Sequence, residues 1–411
     1  MESSRATLLL DAALRSGGMG EGAPLVILVD LDDLDRQFNA LREAFPASTL
    51  HAVAVKACPV MSILRRLVER GAGLEVASRG ELALALRMAP GAKIVFDSPA
   101  KTPDELRYAL ESQIRINADN FQELERLVPL TPAKGVGIRL NPVLSPGVVA
   151  MTSTAVPGSQ FGVDLSRDRA AVLSWCRRYP WIDGLHVHVG SQGGSVALLV
   201  QGAAALVELA REANAGGGNI RSLDIGGGLS VDYRTGAAPA FTDLVEQLHA
   251  RTPELFSGAW ELITEFGRRL LATCGIAASR VEYTKESSGT RIAITHAGSD
   301  LFLRMVYRPE DWQHRLTVHS PDGLPKHGPV EAWDVAGPLC FSGDLLARAA
   351  QLPHIEPGDI IVVHDAGAYT LALWSRYVSR CSPGVLGWSD TDGLRCLRRP
   401  ETVQDVLRFW E

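Results

Sequence analysis

Lys56 ends an apolar run, HAVAVKA (51–57). If that run is buried, its ammonium loses water, which lowers an amine's pKa and makes it a better nucleophile for a carbonyl. At a strand rim the same lysine is simply solvated. LDIGGGLSVDY (223–233) carries three consecutive glycines, Gly226, Gly227 and Gly228. Backbone without side chains can approach a phosphate closely and offer it N–H groups. The spacing is neither the dinucleotide fingerprint nor the P-loop, so a plain turn is the competing reading. In HVHVGSQ (186–192), His186 and His188 fall on one side of a strand. A metal pair is conceivable, but no carboxylate or third histidine sits at helpful spacing, and no metal is expected. An imidazole stacked on a flat cofactor, with Ser191 as a donor at the strand end, fits better. TEFGRRL (264–270) places Glu265 and Arg268 around Gly267, which is equally the pattern of a surface ion pair. AGPLCFSGDLL (336–346) puts Cys340 in a Gly-Pro turn, and HDAGAYT (364–370) puts Tyr369 after a strong strand. Either is more often structural when met alone.

The elements around these residues alternate. LVILVD (25–30), HAVAVKA, LEVAS (74–78), KIVFDSP, IRINAD, VGIRLNP, GLHVHVGSQ, RSLDIGGG and WELITEFGR read as short buried strands. Between them lie amphipathic stretches such as LDRQFNALREAF (34–45) and PVMSILRRLVERGA (59–72). One strand and one helix every roughly 25–30 residues, about eight times over, predicts a (β/α)8 barrel rather than an open sheet. After about Cys274 the rhythm changes to short strands separated by Gly, Pro and Asp, which predicts a mostly antiparallel β domain. The expected division is an N-terminal arm (1–24) packing with the β domain, a barrel (25–274) and the β domain (275–411).

With 411 residues, the chain is too long for one ordinary compact domain. Its 46% hydrophobic and 21% charged residues are a normal globular mixture, and a net charge of -6 does not suggest a nucleic-acid surface. Six scattered cysteines without a CxxC pair suggest reduced thiols in the cytoplasm. The N-terminus does not read as a signal peptide, and no apolar stretch approaches the roughly 20 residues of a membrane helix.

Taken in order, these motifs resemble the fold-type III pyridoxal-5'-phosphate (PLP) decarboxylases, the group of the diaminopimelate and ornithine decarboxylases. The resemblance runs from about Lys56 to Tyr369 and includes LEVASRGEL (74–82) with Glu81, the Pro99-Ala100-Lys101 step, Arg139 in IRLNP and SQFGVDL (159–165). It implies an alanine-racemase-like fold, an α/β TIM barrel plus a C-terminal β domain. It also implies an amino-acid substrate and a homodimer with shared active sites. Lys56 would hold PLP covalently, and His188 would stack on its ring. Glu265 would face the ring nitrogen, where related racemases place an arginine; a carboxylate there favours decarboxylation. Glu81, Arg139, Ser191, Gly226 to Gly228, Gly267, Arg268 and Tyr369 would surround the cofactor. Cys340 of the partner subunit would protonate Cα.

The chain departs from the family where the substrate is chosen. An acid often follows the cysteine to meet a distal ammonium, and here the residue is Phe341. Phe266 stands where Pro is usual, and Arg269 where a small residue is common. The substrate segment, MVYRPEDWQHRL (305–316), offers Arg308 with Trp312, or Arg304 with Tyr307 in a second register. An apolar ring does not offset the desolvation of an ammonium. A non-standard apolar, aromatic or anionic substrate is therefore expected, unless Asp344 supplies the missing acid. An epimerase using Lys56 and Cys340, or a PLP-binding regulator without turnover, are the alternative readings.

Overall fold

A computed structural model describes the chain except residues 2, 133–134, 148 and 193–194. Helix Ser3–Arg15 and strand β1 (Leu25–Asp30) come first. The next strands are β2 (Leu50–Ala54), β3 (Gly73–Val76), β4 (Ile94–Asp97), β5 (Arg115–Ala118), β6 (Val136–Asn141), β7 (Val163–Asp164), β8 (Ile182–Val187), β9 (Ser222–Asp224) and β10 (Glu261–Thr264). All but β1 and the short β7 pair in parallel, each with the next, and β10 returns to β2. The result is the closed eight-stranded barrel that the βα rhythm predicts, with β7 added to the edge of β6.

The strands are short, apolar and almost wholly buried, as parallel strands covered by crossover helices must be. The helices start where a side chain can accept the first free N–H groups. Ser78, Asn120, Asp164 and Ser195 serve as N-caps, and Thr102 forms a reciprocal capping box with Glu105. Polar side chains nevertheless occur inside the barrel. Register sets Asp97 beside Asn117, Arg139 beside His186, and His186 beside Asp224, all near the carboxyl ends of their strands. In barrels of this kind that end carries the chemistry.

The compact unit holding the barrel comprises residues 38–230 and 238–269. The other unit comprises residues 1–37, 231–237 and 270–411. Its strands beyond β1 are β11 (Gly275–Ser287), β12 (Thr290–Thr295), β13 (Leu316–His319), β14 (Val330–Ala336), β15 (Leu345–Pro353), β16 (Ile360–Val363), β17 (Gly384–Ser389) and β18 (Gly393–Arg398). They form a mostly antiparallel sheet in the order β15-β14-β12-β11-β1-β17-β18, with β16 on β11 and β13 on β16. Two of its pairs, β1 with β17 and β12 with β14, are parallel.

The expected barrel start at residue 25 is corrected here. β1 pairs with β11 and β17, so it is an inner strand of the second sheet. All six of its residues are buried, and such an apolar run reads the same in either sheet. Helix Ser3–Arg15 lays Ala6, Leu9, Leu10 and Ala13 against Val26, Leu28, Ile276 and Val362.

Candidate active site

Strand β2 stops at Ala54, and Lys56 lies in the single 3-10 turn Val55–Ala57 that follows. Its side chain is 41% exposed, nearer the strand-rim reading of the apolar run than the buried one. Its Nζ donates to both carboxylate oxygens of Glu75, at 2.5 and 2.6 Å. Glu75 has no exposed surface; burial pushes its carboxyl up, against the pull of Lys56. Gly267 lets the loop after β10 approach this turn, because a Cβ there would lie 2.8 Å from the Ala57 Cβ.

Deeper in the barrel four buried groups converge. Arg139 Nη1 donates to Asp97 Oδ2 at 2.6 Å. Asp97 Oδ1 lies 3.6 Å from His186 Nδ1, and His186 Nε2 lies 3.4 Å from Glu265 Oε2. Burial opposes the charge of Asp97, but Arg139, with His186 and Lys101, holds it below the usual carboxylate range. Glu265 behaves oppositely: burial, then the charges of Glu75 and Asp97, raises its pKa well above the ordinary value. Burial and Glu265 push Asp224 up to about 8, and it accepts from Asn117 Nδ2 at 3.2 Å and Gly226 N at 3.0 Å. Burial lowers the pKa of both His186 and His188, so both rings are neutral near pH 7. Asp97, His186 and Glu265 offer ligand atoms within 4.8 Å of one another, so space supplies the carboxylates that sequence spacing near His186 did not. The Arg139 guanidinium on Asp97 disfavours a cation there.

His188 follows the end of β8, and its Nδ1 accepts the Gly227 N–H at 3.1 Å. That bond fixes the tautomer, with the proton on Nε2. The three glycines have distinct parts. Gly226 and Gly227 use their N–H groups on Asp224 and His188. A Cβ on Gly228 would lie 2.1 Å from Gly190 O, so the loops after β8 and β9 meet backbone to backbone. Among the described hydrogen bonds, Gly228 alone of the three gives its N–H to no acceptor. Arg268, from the motif after β10, donates to Ser191 Oγ from Nε at 3.3 Å and Nη2 at 3.1 Å.

Two expected cofactor residues have other partners. Glu81 Oε2 accepts the Ala77 N–H at 2.7 Å and closes the turn into helix Arg79–Leu86. Arg139 is engaged by Asp97 and stacks over Phe161 at 4.5 Å. The departures at 266 and 269 are packing features: Phe266 is buried against Phe45 and Phe241, and Arg269 lies over Phe241. Sequence reasoning missed Glu75, Asp97 and Asp224. Their signal was a lone acid inside a short apolar strand, which is costly without a partner.

In the β unit, Cys340 is exposed and Phe341 stacks on Tyr307, centroids 6.1 Å apart. Tyr377 meets Phe341 edge-on at 6.4 Å. Asp344 is buried, and its carboxylate accepts from Ser299 N at 2.6 Å and Leu339 N at 2.8 Å. These bonds tie Asp344 to the turn that carries Cys340. Arg308 is exposed and paired with Glu310 and Asp311. The Arg304 guanidinium lies 4.6 Å from the Trp312 ring and 5.0 Å from the Tyr369 ring, while Tyr307 is exposed and stacked on Phe341. Trp312 is itself buried, against Tyr233. Tyr369 has φ +55°, a left-handed conformation uncommon for a bulky residue and often found at functional positions.

The barrel residues fit PLP on three observations. The Lys56 amine is accessible at a strand end. Glu265 Oε1 is buried with no hydrogen-bond partner, as an acceptor for a ring N–H would be. Arg268 and Ser191 are hydrogen-bonded to each other, and the Gly228 loop meets Gly190 next to Ser191, which places a cation, a hydroxyl and a side-chain-free backbone near the ends of β8, β9 and β10. Comparisons with known proteins agree. Residues 31–272 match the family described as "Pyridoxal-dependent decarboxylase, pyridoxal binding domain". The chain is 31% identical over 384 residues to diaminopimelate decarboxylase of Pseudomonas aeruginosa, covering 91% of this chain and 89% of that one. It is 29% identical over 392 residues to the Helicobacter pylori enzyme, covering 93% and 94%. The crystal structure of diaminopimelate decarboxylase from Helicobacter pylori complexed with L-lysine is 28% identical and superposes with a TM-score of 0.85, covering 94% of this chain and 96% of that one. The chain belongs to the pyridoxal-dependent decarboxylase family and is a PLP-dependent amino-acid decarboxylase.

Proposed function

We propose that the protein removes the α-carboxyl group, as CO2, from a non-standard amino acid whose side chain ends in an apolar, aromatic or anionic group rather than an ammonium. One observation carries this reading: Phe341 follows Cys340 and stacks on Tyr307, while the nearby acid, Asp344, is buried and accepts two backbone N–H groups. Arg304, held between two rings, adds positive charge to the same unit.

Bound PLP supplies the electron sink for the Cα–carboxyl bond. Lys56 would hold it through its amine, and Glu75, bonded to that amine, would balance the amine's charge. Glu265 accepts the ring N–H at Oε1. His188, pinned by Gly227, fixes the plane of the ring. Gly228, Ser191 and Arg268 take the phosphate. Cys340 is an exposed thiol, which supports its donation of a proton at Cα in a site completed by a second copy of the chain. All six cysteines are free, which supports a reducing, cytoplasmic setting. Among the described residues, no helix is long and apolar enough to cross a membrane.

The test is turnover of a pool of L- and D-amino acids in deuterated water, read by mass spectrometry. CO2 loss with one deuterium at Cα, on a substrate lacking a distal ammonium, is the expected result. Preferred turnover of diaminopimelate, lysine or ornithine would overturn the substrate reading. Deuterium gain without CO2 loss would replace decarboxylation by epimerisation.

A further inference from the structure

Strand β8 ends at Val187, and the segment His188–Ser191 runs on beyond the ladder. Its carbonyls still need donors. They come from one short piece of the loop after β6. Thr154 N donates to Val189 O at 3.2 Å, and Thr154 Oγ1 donates to His188 O at 2.5 Å. Thr152 Oγ1 donates to Ser191 O, and Ser191 N donates back to Thr152 O at 2.9 Å. Between these bonds Ser153 and Gly190 face each other as an antiparallel bridge. The Thr152 hydroxyl also reaches Val149 O at 2.9 Å, whereas among the described hydrogen bonds Thr154 Oγ1 donates to His188 O alone.

The two loops meet at their backbones. Gly190 has φ +143°, and a Cβ there would lie 2.7 Å from Thr152 O. On its other side, Gly190 O stands where a Cβ on Gly228 would come within 2.1 Å. Gly190 is therefore packed between residues 152–153 and the glycine loop after β9. The clasping piece is itself held in shape. Asn141 accepts Val143 N and donates to Val156 O, both at 2.9 Å. Leu144 N donates to Ala155 O at 2.7 Å, and Gly147 N donates to Ser153 Oγ at 2.8 Å.

A side chain is placed by the backbone that carries it. The His188 ring has the Gly227 N–H on Nδ1, and the Ser191 hydroxyl has Arg268. Those bonds aim a ring and a hydroxyl at fixed points only while the chain behind them stays still. We propose that Thr152 and Thr154 are positioning residues for the cofactor: their hydroxyls clasp the Ser191 and His188 carbonyls and so set where the Ser191 hydroxyl and the His188 ring meet PLP. The inference rests on the reading that His188 and Ser191 face the cofactor, and it adds the residues on a different loop that hold them there.

The experiment is titration of the full-length apoenzyme with PLP, read by absorbance and by visible circular dichroism of the bound cofactor. The single variants are Thr154→Val, Thr154→Ser, Thr152→Val, Thr152→Ser, His188→Ala and Ser191→Ala. Valine keeps the shape of threonine and removes the donor; serine keeps the donor. Each valine variant is expected to bind PLP roughly three- to tenfold more weakly, with a smaller dichroism band per bound cofactor, and each serine variant to restore both. Thr154→Val/His188→Ala should bind no more weakly than His188→Ala, and Thr152→Val/Ser191→Ala no more weakly than Ser191→Ala, because each threonine acts through its partner. Both threonines are partly buried, and alanine replaces valine in the test if a valine variant does not fold. Wild-type affinity and band in a valine variant would overturn the role of that threonine. Serine variants as weak as the valine ones, or losses that multiply in the double variants, would overturn the proposal as a whole. If His188→Ala and Ser191→Ala themselves bind like wild type, their placement at the cofactor falls instead, and the two failures are distinguishable.

Discussion

Lys56 Nζ bonds both oxygens of Glu75, a carboxylate with no exposed surface, across two neighbouring barrel strands. The pair holds the amine at a defined place, and it leaves a buried anion behind when the amine is used elsewhere. Lys56→Ala should bind PLP without the absorbance of the lysine-linked cofactor. A mutant that keeps that band unchanged would remove Lys56 from the role. Glu75→Gln should keep the band and lose roughly tenfold or more in turnover, because the released amine has no counter-charge.

Gly228 has φ +115°, and a Cβ there would lie 2.1 Å from Gly190 O. Both conditions exclude a side chain. Gly228→Ala should weaken PLP binding by roughly 10- to 100-fold, as measured by titrating the apoenzyme. An affinity equal to wild type would mean that the Gly228 loop does not touch the phosphate.

The Cys340 turn hangs on Asp344, which accepts the Ser299 and Leu339 N–H groups from inside the fold. Asp344→Asn puts a donor where two donors already point. It should cost about 1–3 kcal/mol, seen as a lower Tm. If Asp344 were instead a substrate acid, stability would hold and only KM would rise.

Phe341→Glu restores an acid beside Cys340. It should raise kcat/KM for dibasic amino acids by about tenfold or more and lower it for the native substrate. Equal losses on all substrates would place Phe341 in packing alone.

Stability should fall on the acid side. His51 accepts no ready proton: burial, then Arg42, lowers its pKa from 6.5 to about 4, and its Nδ1 lies 2.9 Å from Thr264 Oγ1. Between those values the unfolded chain binds a proton that the folded chain does not. Stability contributed by neutral His51 is therefore complete above pH 6.5 and is lost as the pH falls toward 4. The loss is at most about 3 kcal/mol. His364, lowered by burial to about 3, adds to the same limb. His51→Gln should flatten Tm against pH in this window; an unchanged slope would assign the acid limb to other groups.

Much of the site was legible because it lies at strand ends. Lys56, His188, Gly226 to Gly228, Glu265 and Arg268 each follow an apolar run at the repeat of one βα unit, and that repeat alone predicts the barrel. Chain order and residue type sufficed for the family and its cofactor. What stayed hidden depended on closure. Glu75, Asp97 and Asp224 stand singly on β3, β4 and β9, and nothing in a linear spacing says that they meet. β1 was misplaced for a related reason: LVILVD is equally apolar in either sheet, and only its pairing with β11 and β17 decides. Asp344 and Arg308 looked available as charges, but backbone donors engage one and neighbouring acids the other. The sequence by itself determined the barrel, because local periodicity carries it, and its ordered motifs, through their resemblance to the PLP decarboxylases, pointed to the family, the kind of cofactor and Lys56 as the expected cofactor lysine. Only the tertiary structure decided which charges face one another, because burial and pairing of ionisable groups arise from contacts between residues far apart in the chain.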